Sequence, residues 1–341
     1  MSYHMYVSNS GSDFFSHFIM DGNTGELEAQ ADIDLGGQPG AVATNSAQTW
    51  MVVALRSQKV LASYSIDQKS GALTRTGESH LEEGPPYLYV DNTDRFLLGS
   101  YYGGGRVSVH GIDADGTLSA APLQELETAI RAHSIQTDRA NRFAFVPHTN
   151  PTNAVYQFRF DAESGTLPPN EPAKIQPETE EGPRHFIFHP HKDLLYTINE
   201  NGSTVSAHRF DAEAGTLESF QVISTLPGGN PVEGNTTAEI DITPDGRYLY
   251  GSNRGHDSLA CFRIAPSGAL EAAGIFMTEA TPRSFHWEPQ GRFLYAAGEA
   301  NDRLTLYSVD QDCGGLERLC TYATGRVPWW VQVVAPARTA D

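Results

Sequence analysis

The residues of this chain with the most chemistry to offer follow a proline or alanine that opens an extended segment. They are His133, Arg184, Glu239 and Arg283, with Gly40, Tyr87 and Trp329 at the matching places of their own segments. Some 15 or 16 positions later, where the chain has turned once and returned, stand Tyr102, His148, Glu200, Arg254 and Glu299, with Asn199 and Asn253 adjacent. Gathered at one place, three arginines, several carboxylates and two histidines make an anion-binding pocket with acid–base groups. Guanidinium forks match paired oxygens, and a carboxylate or imidazole can take a proton and return it. The competing reading is a polar plug in which arginine and glutamate on neighbouring segments neutralise one another. It bears hardest on His148 and on Glu239, the latter as an arginine's structural partner.

Other motifs offer less. His185, His189 and His191 lie close together, but Pro190 interrupts the strand and no second cluster supplies a carboxylate, so no metal is expected. Gly103, Gly104 and Gly105 form a glycine-rich turn, yet no phosphate-loop lysine or helix follows. There is no Gly-x-Ser-x-Gly nucleophile elbow.

Such scattered residues meet only if a repeat brings them together. A Gly-x-Leu turn follows an extended segment at Gly25, Gly71, Gly116, Gly165, Gly215, Gly268 and Gly314, with successive spacings of 46, 45, 49, 50, 53 and 46 residues. Six of these turns follow an aspartate at a strand end, namely Asp21, Asp67, Asp113, Asp161, Asp211 and Asp310; Ala265 is the exception. An aspartate there can accept hydrogen bonds from loop amides while the glycine supplies a positive φ. Runs such as RFLL (95–98), RFAFV (142–146), RYLY (247–250) and RFLY (292–295) read as short strands, and no segment shows a sustained helical period. The period suits a four-stranded blade, so the pattern predicts an all-β, seven-bladed propeller over residues 1–341 as a single domain. The C-terminal VPWWVQVV reads as an innermost strand and the N-terminal HMYVSNS as a second strand, so the two ends are expected to share one blade. Equivalent inner-strand starts then form a ring at one mouth of the axial channel.

Acidic residues outnumber basic ones 42 to 23, a net charge of -19, which argues against nucleic acid as a partner. The opening MSYHMYVSNS does not read as a signal peptide, and no apolar run is long enough to span a membrane. Cys261, Cys313 and Cys320 are odd in number and lack ligand spacing, which fits a reducing cytoplasm. The sequence carries no signal of oligomeric state.

The stretches AHSIQTDRANRFAFVPH, EGPRHFIFHPHKDLLYTINE, AEIDITPDGRYLYGSNR and TPRSFHWEPQGRFLYAAGE, with the turn GSYYGGG, resemble the propeller-type lactonases. That family is typified by the bacterial 6-phosphogluconolactonases and includes the fungal carboxy-muconate lactonising enzyme. The resemblance covers nearly the whole chain and implies site residues at His133 in AHS, Arg184 and His185 in GPRH, and Glu200 in NE. It also implies Arg254 in SNR and Arg283 in TPR. The activity it implies is metal-free, cofactor-free hydrolysis of an anionic sugar lactone, foremost 6-phospho-D-glucono-1,5-lactone. Glu200 or His133 would act as base and the other as acid, Arg184 would face the oxyanion, and Arg254 and Arg283 would hold the phosphate. Glu239, Tyr102, His148 and Asn199 complete the expected substrate-binding set. Other outcomes are an unphosphorylated lactone, a muconate cycloisomerase, or a non-enzymatic scaffold, since propellers host many functions. The net negative charge is no obstacle, because long-range repulsion is screened beyond about 8 Å at physiological ionic strength.

Overall fold

Each repeat folds as an antiparallel sheet, and the sheets follow one another around an axis. The computed structural model describes residues 2–336, which contain seven such blades and no α-helix. Blades are numbered here by chain order of their inner strands: Pro39–Thr44, Tyr87–Val90, Gln136–Thr137, Pro183–Phe188, Thr236–Ile242, Pro282–Trp287 and Pro328–Val334. Six blades have four strands. Blade 7 adds Ile33–Asp34 beside the strand Phe14–Asp21.

Blade 7 is also the closure. Its inner strand, Pro328–Val334, pairs antiparallel with Ser2–Asn9, with Val331 opposite Val7 and Val333 opposite Met5. The chain's two ends thus share one ladder, and Ser2–Asn9 is not left as an open inner edge.

The apolar core is distributed as seams between blades. Leu194, Tyr196 and Ile198 of blade 4 pack on Ile240, Ile242 and Phe262 of blade 5. Phe143 and Phe145 of blade 3 meet Phe186 and Phe210 of blade 4. The remaining clusters fill the other seams in the same way. Second strands, between an inner and a third strand and between two blades, are buried almost throughout, whereas outer strands such as Leu270–Met277 are exposed or half-buried after their first residue.

These seams explain why two motifs repeat together. The glycine turn of each blade docks onto the first residues of the preceding blade's second strand. A Cβ at Gly215, where φ is 70°, would lie 2.0 Å from Phe143 Cδ1, and one at Gly116 would lie 2.5 Å from Trp50 Cγ. Two residues further along that strand, Tyr196, Tyr250 and Tyr295 donate hydroxyls to the carbonyls of Gly268, Gly314 and Gly25 at 2.9, 2.5 and 2.5 Å. The aromatic-rich strand and the Asp-Gly hairpin are two halves of one inter-blade latch. Aspartates 21, 67, 161, 211 and 310 accept backbone N–H groups of their own turns. Asp113 does not. Its turn is one residue tighter, and Asp115 accepts the Thr117 amide instead.

Candidate active site

The inner strands do not enter the ring as regular strands. In blade 4 Pro183 faces Asn199 and His185 faces Ile198, which leaves Arg184 as an extra residue. Blade 6 does the same at Arg283, between Pro282 opposite Gly298 and Ser284 opposite Ala297. Blade 7 does it at Trp329, and blades 1 and 5 carry equivalent shifts over Gly40–Ala41 and Ala238–Glu239. A bulge re-aims the extra side chain away from the alternating pattern of the pleat. Here it brings mouth residues out of the blade and toward the axis.

The ladder registers correct the sequence alignment at three places. Asn253 pairs with Thr237 as Asn199 pairs with Pro183, so the counterpart of Arg184 in blade 5 is Ala238, and Glu239 matches His185. By the same register Pro86, not Tyr87, is the mouth position of blade 2. His148, which bridges Ala132, corresponds to Asn199 and not to Glu200. The interval between tiers is then uniformly 16, running 40–56, 86–102, 133–149, 184–200, 238–254 and 283–299. That register reveals Arg56, which the sequence reading missed because its partner position, Gly40, has no side chain.

Six of the expected residues line one cavity of about 300 Å³ at the mouth: Tyr102, His133, Glu200, Arg254, Arg283 and Trp329. Arg56 and Glu83 join them. Arg254 donates to Glu200 Oε1 at 2.5 Å and to the Thr237 carbonyl at 2.9 Å. Arg283 lies 3.7 Å from Glu299, and its guanidinium sits over the Trp329 ring at 3.4 Å. Tyr102 accepts a bond from Arg131 at 2.6 Å and meets the His133 ring edge-on. Although arginine and glutamate do pair here, as the plug reading requires, the cavity remains open between them.

Arg184 is placed differently from the expectation. At 1% exposure it lies behind the cavity wall, donating to the Ala238 carbonyl at 2.5 Å, with Nε 4.0 Å from Glu200 Oε2. Arg184 Nε, Glu200 Oε2, Arg254 Nε and His133 Nδ1 are buried without a hydrogen-bond partner in the protein. Such unpaired groups are costly in a folded interior and cluster where function demands them.

Burial, then Arg184, His185, Arg283 and Arg254, hold His133 well below the ordinary value of 6.5, so its ring is neutral. Burial pushes Glu200 up, but Arg184, Arg254 and Arg283 outweigh it and keep the carboxylate ionised. Burial pushes Arg184 down to about 10 and Arg283 down to about 9, and both remain cationic at neutral pH.

His185 and Glu239 form a separate pair below the mouth, His185 Nδ1 to Glu239 Oε1 at 2.9 Å. Burial and the adjacent Arg184 push His185 down to about 4, so a neutral ring donates to an ionised Glu239. Glu239 lines a second space along the axis, of about 270 Å³, rather than the mouth. Its partner is a histidine, not the arginine the sequence suggested. The His185 ring touches His133 edge-on at 5.0 Å and so supports the mouth from beneath.

Two expected residues are structural. His148 is held between the Val146 carbonyl and Thr128 Oγ1, both at 3.0 Å, and packs on Tyr156. Asn199 bonds Thr204 and Ser206 within its own blade. Both point into a blade because they occupy the last regular position of a second strand; the next residue is the one that reaches the mouth. His189 accepts the His191 amide at 3.0 Å and packs beneath the Gly246 turn. The Gly103–Gly105 turn is a small anion nest filled by the protein itself, with the Gly103 and Gly104 amides each donating to Glu83 at 2.7 Å.

Comparisons with known proteins bear on the family and the fold. The family model described as lactonase, 7-bladed beta-propeller, matches residues 2–85 and 78–333. A 6-phosphogluconolactonase of Pectobacterium carotovorum is 34% identical over 97% of this chain and 98% of its own length. One from Sodalis glossinidius is 33% identical over 97% and 98%. Among solved structures, a periplasmic gluconolactonase of Pseudomonas aeruginosa superposes with a TM-score of 0.90 at 23% identity, covering 98% of this chain and all of its own. A putative 6-phosphogluconolactonase of Bacteroides uniformis gives 0.86 at 24% identity, over 98% and 99%. At that identity the structures bear on the fold alone.

Proposed function

Because the chain belongs to the seven-bladed β-propeller lactonase family and is a lactonase, we propose that it hydrolyses 6-phospho-D-glucono-1,5-lactone to 6-phosphogluconate. The observation that carries the reading is one mouth cavity lined by three arginines, an ionised glutamate and a neutral histidine. Full-length relatives of that name support the phosphorylated substrate. Three unpaired cysteines suit a reducing compartment, and the proposed setting is the cytoplasmic pentose phosphate route.

Hydrolysis joins a water oxygen to the lactone carbonyl carbon and breaks the bond to the ring oxygen. A base must take the water's proton, and the ring oxygen must receive one as it leaves. Neither His133 nor Glu200 starts protonated at neutral pH, so one group does both jobs in sequence. His133 is the better candidate. An anionic substrate offsets the arginine charges that add to burial in depressing it and so raises its proton affinity, whereas Glu200 stays bound to Arg254. His133 therefore takes the proton during attack and returns it to the leaving oxygen.

Arg254, on the cavity wall, faces the developing oxyanion, where a preorganised donor is worth about 10²–10³ in rate. Glu200 fixes Arg254 and accepts a bond from the attacking water. Arg184 is a positioning residue: from behind the wall it holds Glu200 and depresses His133. Arg283 is left for the phosphate.

The test is a panel of lactones followed by pH indicator, each corrected for spontaneous opening. Faster hydrolysis of the 6-phosphorylated lactone than of its unphosphorylated analogue is expected. Equal rates would remove phosphate from the reading, and turnover confined to a carboxy-muconate would replace it with ring closure.

A further inference from the structure

The arginines at the mouth divide into two groups by what their donors already hold. Arg184 and Arg254, of blades 4 and 5, are committed to Glu200 and to the carbonyls of Ala238 and Thr237. Arg56 and Arg283, of blades 1 and 6, make no side-chain hydrogen bond within the described residues. What holds them is Trp329 of blade 7, whose indole lies under both guanidiniums, at 4.2 and 3.4 Å from the ring centroid. Stacking on an indole fixes the plane of a guanidinium while leaving its N–H edge free.

Gly40 makes this arrangement possible. A Cβ at that position would sit 2.8 Å from Arg56 Cδ and 3.2 Å from its Cγ, so the Arg56 stem crosses the space the glycine leaves. Gly84 flanks the same stem from blade 2, where a Cβ would lie 3.4 Å from Arg56 Cα. Glu299 is the shared counter-charge. It lies 3.7 Å from Arg283, too far for a hydrogen bond, and its field helps keep both arginines charged against the burial that depresses them.

Resting on the lactonase reading above, we propose that Arg56 and Arg283, held over Trp329, form the subsite that recognises the substrate's phosphate dianion. The mouth is thereby split across the axis. Blades 3 to 5 hold the reacting ester, with His133, Glu200 and Arg254. Blades 6, 7 and 1 hold the phosphate at the other side of the same cavity. Arg254 is released from the phosphate-binding role the sequence suggested, because one amino group is already held by Glu200 and the Thr237 carbonyl and its remaining donors are assigned to the oxyanion. The exposed Arg56 stands where an anion arrives from solvent, and the mostly buried Arg283 lies further in.

The experiment compares kcat/KM for 6-phosphogluconolactone with that for the unphosphorylated lactone in wild type, Arg56→Ala and Gly40→Val. Two charge-assisted bonds are lost with Arg56, so its removal is expected to lower the ratio about 10- to 100-fold. Gly40→Val keeps the arginine but displaces its stem, and the ratio should fall in the same direction. Melting temperatures report whether either variant is merely damaged. A wild type with no preference for the phosphorylated lactone overturns the substrate reading and the subsite together. A wild-type preference that survives both variants, or an equal loss on both lactones, overturns the subsite alone.

Discussion

At the scale of single residues, the site works by leaving some hydrogen bonds unmade. His133 Nδ1, Arg184 Nε, Arg254 Nε and Glu200 Oε2 are buried without partners around the mouth cavity. Replacing His133 with alanine removes the proposed base and is expected to lower kcat by about 10²–10⁴-fold, read in the lactone assay. The pH profile carries the sign. Because His133 lies well below 6.5 when free, kcat/KM for the unphosphorylated lactone should stay level through pH 6.5 and fall only at lower pH, as the ring gains its proton. Arg184→Gln removes the largest of the charges holding that value down. The acid limb should then move to higher pH, a shift that loss of packing alone would not produce. An unmoved limb would show that Arg184 does not act through His133.

At the scale of elements, the decisive devices are the bulge and the latch. The bulge turns Arg184, Arg283 and Trp329 out of the pleat, and nothing in the local sequence announces it. The two-tier arrangement was legible from repeat register, but the register in sequence is one position off at Glu239, Tyr87 and His148. That slip placed a core histidine in the site, and the bare Gly40 left Arg56 unnoticed. Side chains in a strand alternate faces, so an error of one residue exchanges a mouth residue for a buried one. The latch is more local and can be tested in one place. Gly215→Ala would force a methyl group into Phe143 at a residue with φ of 70°, and should cost about 2–4 kcal/mol in denaturant unfolding. A cost below about 0.5 kcal/mol would mean that blades 3 and 4 do not depend on this contact.

At the scale of the whole molecule, closure and buried histidines govern stability. Removing residues from Pro328 onward deletes the inner strand of blade 7 and bares the edge of Ser2–Asn9. The expected product is aggregated, without a cooperative unfolding transition; a well-folded monomer by size exclusion and circular dichroism would refute this. His110, His148, His185 and His208 are pushed down to about 4, in each case first by burial. Between pH 6.5 and 4 the unfolded chain therefore binds more protons than the folded one, and folding loses free energy as the pH falls. The melting temperature should be level above pH 6.5 and decline steadily toward pH 4. A flat curve across that window would contradict neutral burial of these rings.

The seven-fold repeat, the four-stranded period and the sharing of one blade by the two chain ends were all determined by the sequence alone. So were the motifs that place His133, Glu200, Arg254 and Arg283 at one mouth. Each of these depends on patterns that recur along the chain, and recurrence survives small errors of alignment. Only the tertiary structure decided which polar residue of each tier faces the cavity, that Arg184 stands behind its wall, and that Arg56 shares Trp329 with Arg283. Those facts arise between blades, from bulges that shift register and from the space left by Gly40. Contacts between segments hundreds of residues apart leave no periodic trace in the sequence.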